Sequence, residues 1–227
     1  MNKTETIFNL MDSWRRLPSY QLERRADLFF ALYIPQALEE KLGFPIRPQL
    51  IPEFPARIGT IYPESNSNQS FKIDYLAISE DGRKAVFVEL KTDNSSRRST
   101  QDAYLKAAQE AGLPELLAGL LQIFRATSAK RKYSYLIDQL AALDQYHIPE
   151  VMYEIMARSD LKGVTEASRG TEITTAVTDS VIIYIQPWGS GSEIITFDDL
   201  RRTVEKHDDP ISSRFAQSLS EWARIEA

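Results

Sequence analysis

The sequence contains no cysteine and only two histidines among its 227 residues. The lack of cysteine excludes disulfides, a cysteine nucleophile and zinc sites built from thiolates, and it fits a reducing compartment. The two histidines, His147 and His207, are far apart in the chain. A histidine-rich metal site or a Ser-His-Asp triad therefore has few residues to build it, and we interpret both histidines as loop or helix-end residues.

A basic excess and long apolar runs are also missing. The chain carries 27 Lys and Arg against 32 Asp and Glu, a net charge of −5. This balance differs from that of a strongly basic nucleic-acid binder, so a nucleic-acid substrate would require local basic patches and metal ions. No stretch approaches the roughly eighteen consecutive apolar residues of a membrane span, and no signal peptide is apparent. We expect a cytoplasmic protein without membrane contact.

A predicted β-hairpin carries the most informative charged residues. The turn sequence Asp81-Gly82 separates two runs of β-prone residues, which is a strong hairpin signal. The first run contains Asp74, and the second ends in Glu89 and Lys91. Because side chains alternate faces along a strand, Glu89 and Lys91 point the same way. The turn lies midway in sequence between Asp74 and Glu89, so we predict that the two carboxylates lie roughly opposite each other.

Two carboxylates beside a lysine suit one kind of chemistry. Hard oxygen donors are the ligands that Mg²⁺ prefers, and this ion keeps several of its waters. A neighbouring ammonium or amine can orient or deprotonate a water and stabilise charge that develops on a phosphate. The alternative is a solvent-facing Asp74 on a strand that merely ends in a Glu-x-Lys sequence.

The spacing of these residues resembles the motif of the PD-(D/E)xK nuclease superfamily. Asp74 is followed by fourteen residues and then by Glu89-Leu90-Lys91, although Ile73 stands where the motif name has proline. The resemblance implies Mg²⁺-dependent hydrolysis of phosphodiester bonds, with Mn²⁺ as an alternative ion and DNA as the expected substrate, RNA remaining open. It assigns Asp74 and Glu89 as metal ligands and Lys91 as the lysine beside the attacking water.

A third acidic ligand is expected from the helix that precedes the hairpin. We predict this helix over residues 20–42, with Pro35 kinking or splitting it. In the resembled family a carboxylate from this helix often joins the metal site, and Glu23 is our first candidate. Asp27, one turn further on, and Glu64, in the polar loop before the hairpin, are the alternatives. These acids are otherwise explained as solvated partners of nearby basic residues.

Groups that contact the substrate are expected after the hairpin. Arg97 and Arg98 lie in a polar loop, and arginine is the better bidentate phosphate partner. The helix that follows carries Gln101 and Lys106 as further candidates. Some exonuclease branches of the family have Gln-x-x-x-Tyr on this helix, whereas here Gln101 and Tyr104 are one residue closer.

A helical insertion is predicted over about residues 113–160. Its basic triplet, Lys130 to Lys132, stands next to Tyr133 and near Tyr135. The triplet and tyrosines would suit contact with a nucleic-acid backbone and stacking on bases, but packing between helices, with the tyrosines half-buried, is the preferred interpretation. Repeated apolar residues over 180–186 then predict a strand buried on both faces.

The predicted order of elements is helix, strand, hairpin, helix, helical insertion and strand. This order matches the α-β-β-β-α-β core of the resembled superfamily. We therefore expect one α/β domain over residues 1–227, with a restriction-endonuclease-like three-layer α/β/α core and a mixed sheet. The second hypothesis is a catalytically inactive protein of this fold that binds nucleic acid or protein, and a weaker third is a sugar- or nucleotide-processing hydrolase. The oligomeric state is open, with a homodimer as one option.

Overall fold

A computed structural model of the chain describes residues 2–15, 17–92 and 99–224. Helices and strands account for most of this length. The helices are α1 (Lys3–Trp14), α2 (Leu22–Leu42), α3 (Ile58–Ile61), α4 (Ser99–Ala111), α5 (Leu113–Ala126), α6 (Lys130–Ala142), α7 (Glu150–Met156), α8 (Val164–Ala167), α9 (Phe197–Val204) and α10 (Pro210–Trp222). The strands are β1 (Ile51–Arg57), β2 (Ser70–Ile78), β3 (Lys84–Leu90), β4 (Tyr146–His147), β5 (Glu172–Ile173), β6 (Asp179–Gln186) and β7 (Ile194–Thr196).

The fold is mixed α/β, with a five-stranded sheet flanked by helices and with strand order β1-β2-β3-β6-β7. β1 pairs antiparallel with β2, whereas β6 and β7 are parallel, so the predicted mixed sheet is confirmed. Pro52 and Pro55 both lie on β1 at the edge of the sheet, where their missing N–H groups break no inner ladder. β4 and β5 form a separate two-stranded pair.

The chain forms two compact units, each assembled from segments that are distant in sequence. Unit 1 contains Met1–Pro48, Val88–Arg98 and Ile183–Ala227. Unit 2 contains Gln49–Phe87 and Ser99–Ile182, and it includes the predicted insertion, which is helical over α5, α6 and α7. No helix within the described residues has the length and apolar character that a membrane span requires.

Aromatic side chains form the core of unit 1. The ring of Phe30 on α2 meets Phe215 edge-on at 5.2 Å and Phe197 at 5.5 Å, all three being fully buried. The prediction that Pro35 splits α2 is wrong, because the helix runs without a break from Leu22 to Leu42. Buried residues before and after Pro35 belong to this core, and their packing outweighs the loss of one backbone hydrogen bond.

A buried arginine ties α10 to α1 within unit 1. The Arg214 guanidinium is 5% exposed, and its Nη2 lies 2.5 Å from Oδ2 of Asp12. Its Nε reaches Oε2 of the half-exposed Glu5 at 3.2 Å, and Nη1 donates to Ser218 Oγ at 2.8 Å. The other oxygen of Asp12 accepts from the indole Nε1 of Trp222 at 2.8 Å. One carboxylate therefore holds both a buried cation and a buried indole.

The predicted hairpin turn in unit 2 is confirmed. Gly82 has φ of 72°, which suits glycine, and its N–H donates to Ser79 O at 2.9 Å. Asp81 Oδ1 accepts from the Ser79 hydroxyl and from the Arg83 N–H, and these hydrogen bonds lower the pKa of the Asp81 carboxyl. The N–H of Ser79 donates to Lys84 O at 2.9 Å, which sets the register where the two strands leave the turn.

Tyr146 is buried in unit 2, and it predicts a dependence of stability on alkaline pH. Its hydroxyl donates to Leu117 O at 2.6 Å, and burial raises the pKa of this phenol well above 10.0. The unfolded chain loses this proton near its ordinary pKa, whereas the folded chain keeps it. The stabilisation is therefore complete below pH ~10 and falls at higher pH, by up to about 1.4 kcal/mol per pH unit.

We expect Tyr146→Phe to cost about 1 kcal/mol at pH 8, because a hydrogen bond is lost. The same variant should show a shallower loss of stability than the unmodified protein between pH 10 and 11, within the range where the raised pKa acts. Urea unfolding followed by circular dichroism at several pH values measures both effects. Tyr135→Phe, at a side chain that is 62% exposed, is the control. Parallel pH profiles for the unmodified protein and Tyr146→Phe would contradict the prediction.

Candidate active site

Glu89 and Lys91 form a buried ion pair in unit 1. Lys91 Nζ donates to Glu89 Oε1 at 2.5 Å, and the two side chains are 5% and 1% exposed. The prediction that both side chains point the same way is confirmed, since a pair two residues apart on a strand shares a face. Moving two charges out of water is costly, and a buried pair is weak evidence for a stabilising role. The pair is therefore a candidate for a functional role.

The position of the pair follows from the strand that carries it. Four consecutive apolar residues of β3, Ala85 to Val88, are fully buried and bring the end of the strand into the interior. The backbone N–H of Lys91 then donates to Ile185 O of β6 at 2.8 Å. This bond extends the pairing one residue past the last residue of β3, so the lysine is attached to the sheet rather than to a free loop.

Asp74 lies on β2, in unit 2, and is half-buried between the buried residues Ile73 and Tyr75. It is thus neither a fully exposed strand residue nor a core residue. Its predicted position opposite Glu89 stays a prediction.

The three candidates for a further acidic ligand have different settings. Glu23 and Asp27 are half-buried on α2 in unit 1, and Glu23 lies in the first turn of the helix. Glu64 is exposed in a short 3-10 turn of unit 2. Within residues 2–15, 17–92 and 99–224, no three His, Asp or Glu side chains are grouped closely enough to hold a metal ion. The role of Glu23 as a ligand remains a prediction.

The candidates for substrate contact are dispersed. Gln101 is half-buried on α4. Lys106 is 74% exposed on the same helix, and its Nζ lies 4.0 Å from the Glu110 carboxylate, an arrangement typical of a solvated helix face. Arg97 and Arg98 lie outside the described residues.

The basic triplet at the start of α6 has mainly a structural role. Lys130 Nζ donates to the carbonyls of Phe124 and Arg125, where it caps the end of α5. Arg131 donates to the carbonyls of Met156 and Arg158. Lys132 is exposed. Packing between helices therefore accounts for two of the three cations.

Arg57 is a buried charged residue that the sequence did not single out. Arg57, the last residue of β1, is 5% exposed. Its Nε donates to Asn68 Oδ1 at 2.7 Å, and its Nη2 donates to Asn66 Oδ1 at 3.4 Å. The alternation of asparagines in the polar loop before β2 was visible in sequence, but nothing in the sequence connected it with an arginine eleven residues earlier.

The carboxylate oxygens of Asp74 and of Glu89 are each donors of the kind that a hard divalent cation prefers. Mg²⁺ is commonly held by one or two carboxylates and keeps several waters. Cysteine is absent from the sequence, which disfavours softer thiolate-bound metals.

Comparison of the chain with protein-family models, curated proteins and solved structures gives no match. Its function must be inferred from its own residues.

Proposed function

We propose that the chain is a Mg²⁺-dependent nuclease of the PD-(D/E)xK type that hydrolyses phosphodiester bonds in DNA. The buried ion pair of Glu89 and Lys91 carries the proposal, because two ionised groups at 1% and 5% exposure call for a reason beyond stability. The chain order α2, β1, β2, β3, α4 and later β6 supports a restriction-endonuclease-like core.

In this proposal Asp74 and Glu89 hold the ion. Mg²⁺ held by these carboxylates would supply a water of lowered pKa and would neutralise charge on the scissile phosphate. Lys91 has three N–H donors, and one is directed to Glu89 Oε1. The Lys91 ammonium would orient the attacking water or stabilise a phosphate oxygen as its negative charge grows. Burial of the pair strengthens these interactions, since a site that excludes water screens charge poorly.

Metal dependence provides the direct test. We expect purified protein to cleave linear, circular or single-stranded DNA with Mg²⁺ or Mn²⁺ and to lose this activity in EDTA. Asp74→Asn should reduce cleavage to background, because the amide is a poorer ligand for a hard cation. Glu110→Gln, at a carboxylate that is 69% exposed, is the matched control and should cleave normally. RNA in the same assay establishes whether the activity is restricted to DNA.

Cleavage that persists in EDTA, or full activity in Asp74→Asn, would contradict the proposal.

A second candidate function is a catalytically inactive protein of the same fold that binds nucleic acid or protein. The net charge of −5 and the helical insertion over α5, α6 and α7 favour this alternative. Calorimetry separates the two candidates. Absence of Mg²⁺ and Mn²⁺ binding, together with absence of cleavage of every substrate, would favour the binding protein.

A further inference from the structure

A cleft of about 600 Å³ opens on the surface of unit 2. One wall is the end of the polar loop before β2, with Asn68 and Gln69. The opposite wall is formed by the last turn of α5 and by Tyr133 of α6, and Ile58 and Ile123 contribute apolar surface. The described side chains that line the cleft are all uncharged. Two sequence features that the proposed active site does not use, the polar loop and the tyrosine after the basic triplet, thus meet here.

Buried Arg57 holds the polar wall of the cleft in place. Its Nε donates to Asn68 Oδ1 at 2.7 Å. The backbone of the same loop is bound on both sides of Asn68, because Ile58 N donates to Gln69 O at 2.8 Å and Gly59 N donates to Ser67 O at 3.0 Å. A Cβ added at Gly59 would lie 2.5 Å from Arg57 Nη1, so only glycine leaves room for the guanidinium. The loop is therefore preorganised before any ligand arrives.

These contacts determine which groups the cleft offers. Since Asn68 Oδ1 accepts from Arg57, the amide nitrogen of Asn68 is the group left to donate to a ligand. Gln69 is exposed and carries both a donor and an acceptor. Tyr133 is half-buried and supplies an aromatic face beside the apolar surface. Amide groups opposite an aromatic ring match a flat ligand with hydrogen-bonding edges.

The charge next to the cleft favours a ligand attached to phosphate. Within the described residues, the hydrogen bonds of the Arg57 guanidinium go to amide oxygens of Asn66 and Asn68, and no carboxylate pairs with it. A buried cation without a neutralising carboxylate gives its surroundings a positive potential.

We infer that this cleft binds a nucleobase of a single nucleic-acid strand, stacked on Tyr133 and hydrogen-bonded by Asn68 and Gln69. The inference rests on the proposed function in taking nucleic acid as the ligand. It adds a base-binding site in unit 2, made of residues other than Asp74, Glu89 and Lys91.

Binding of a fluorescently labelled single-stranded oligonucleotide to the full-length protein, in EDTA so that no cleavage occurs, tests the inference. We expect Tyr133→Ala to weaken binding roughly 5- to 100-fold, as loss of one stacked base does, and Tyr133→Phe to keep most of the affinity. Gln69→Ala, in an exposed loop position, should weaken binding by a smaller factor. Tyr135→Ala is the matched control, because Tyr135 is on the same helix, is 62% exposed and does not line the cleft. An oligonucleotide of the same length with abasic sites should also bind weakly to the unmodified protein. Its affinity should match that of the base-containing oligonucleotide for Tyr133→Ala.

Equal affinities for the normal and abasic strands, or unchanged binding by Tyr133→Ala, would overturn the inference, as would the absence of any oligonucleotide binding. A free nucleoside that displaces the strand at a lower concentration than the oligonucleotide itself would assign the cleft to free nucleosides and overturn the assignment to a strand.

The nuclease proposal can fail independently of this inference. Base-dependent binding without metal-dependent cleavage would support the base-binding cleft and contradict the nuclease proposal. Metal-dependent cleavage without base-dependent binding would support the nuclease proposal and contradict the base-binding cleft.

Discussion

Lys91→Met is expected to lower the rate of metal-dependent DNA cleavage by roughly 10²- to 10⁴-fold, the range usual for a positioned acid–base or charge-stabilising group. Methionine retains most of the length of lysine and removes the ammonium that lies 2.5 Å from Glu89 Oε1. Cleavage is measured under single-turnover conditions with saturating Mg²⁺, so that the chemical step is observed. Wild-type-like cleavage by Lys91→Met would remove Lys91 from the proposed mechanism.

Burial of the pair makes stability a necessary second measurement. From sequence alone, substitution of Asp74, Glu89 or Lys91 by alanine is expected to abolish cleavage without unfolding the chain. The structure changes this expectation for Glu89 and Lys91. Removing one partner of a buried ion pair typically costs about 3–5 kcal/mol, because the other charge stays buried. A loss of activity in either single variant therefore requires a stability measurement beside it.

The double variant Glu89→Gln/Lys91→Met separates the two effects. It removes both charges and keeps similar side-chain volumes, so we expect its free energy of unfolding to lie closer to that of the unmodified protein than that of Lys91→Met does. It should nevertheless remain inactive. A folded, inactive double variant supports a functional role for the pair. A double variant that recovers cleavage would show that the pair acts only through stability.

Asp12→Ala is expected to destabilise the protein by about 3–5 kcal/mol. The substitution leaves the Arg214 guanidinium buried at 5% exposure without its closest carboxylate, and it also removes the acceptor of the Trp222 indole N–H. Urea unfolding followed by far-ultraviolet circular dichroism measures the loss.

Glu5→Ala is the control at the same guanidinium. Glu5 lies 3.2 Å from Arg214 Nε but is 50% exposed, so its loss should cost no more than about 1 kcal/mol. Asp12→Ala/Arg214→Met should be less destabilised than the sum of its single variants, because no buried cation remains. Similar effects of Asp12→Ala and Glu5→Ala would contradict the view that burial determines the contribution of each carboxylate.

The elements that the sequence predicts well are those with a local cause. α1 (Lys3–Trp14) has such a cause, because its apolar residues recur at helical spacing. The Asp81-Gly82 turn appears where predicted, since the positive φ at Gly82 and the side chain of Asp81 act within a few residues. α5 lies within the predicted helical insertion and begins with a proline in its first turn, where the missing N–H costs little. The split at Pro35 is absent, because distant core packing outweighed a local rule, while a kink there stays a prediction.

The sequence predicted that Glu89 and Lys91 lie together in the candidate site, but it did not predict that they are buried. Alternation along β3 was enough to place Glu89 and Lys91 on one face. Whether that face is exposed to solvent or buried depends on the other elements of unit 1, so the burial of the pair could not be predicted from the sequence. The same holds for Lys130 and Arg131, which look like a nucleic-acid contact in sequence and cap or bridge helices in the structure.

The sequence by itself determined the turn, the alternation that brings Glu89 and Lys91 together and the carboxylate chemistry available at the hairpin, since each depends on residues a few positions apart. Only the tertiary structure decided that this pair is buried, that Arg57 lies beneath the asparagines of the polar loop and that Asp12 holds Arg214 from 202 positions away. Burial and long-range pairing depend on which surfaces the folded chain brings together, and the local spacing of residues in the sequence does not determine them.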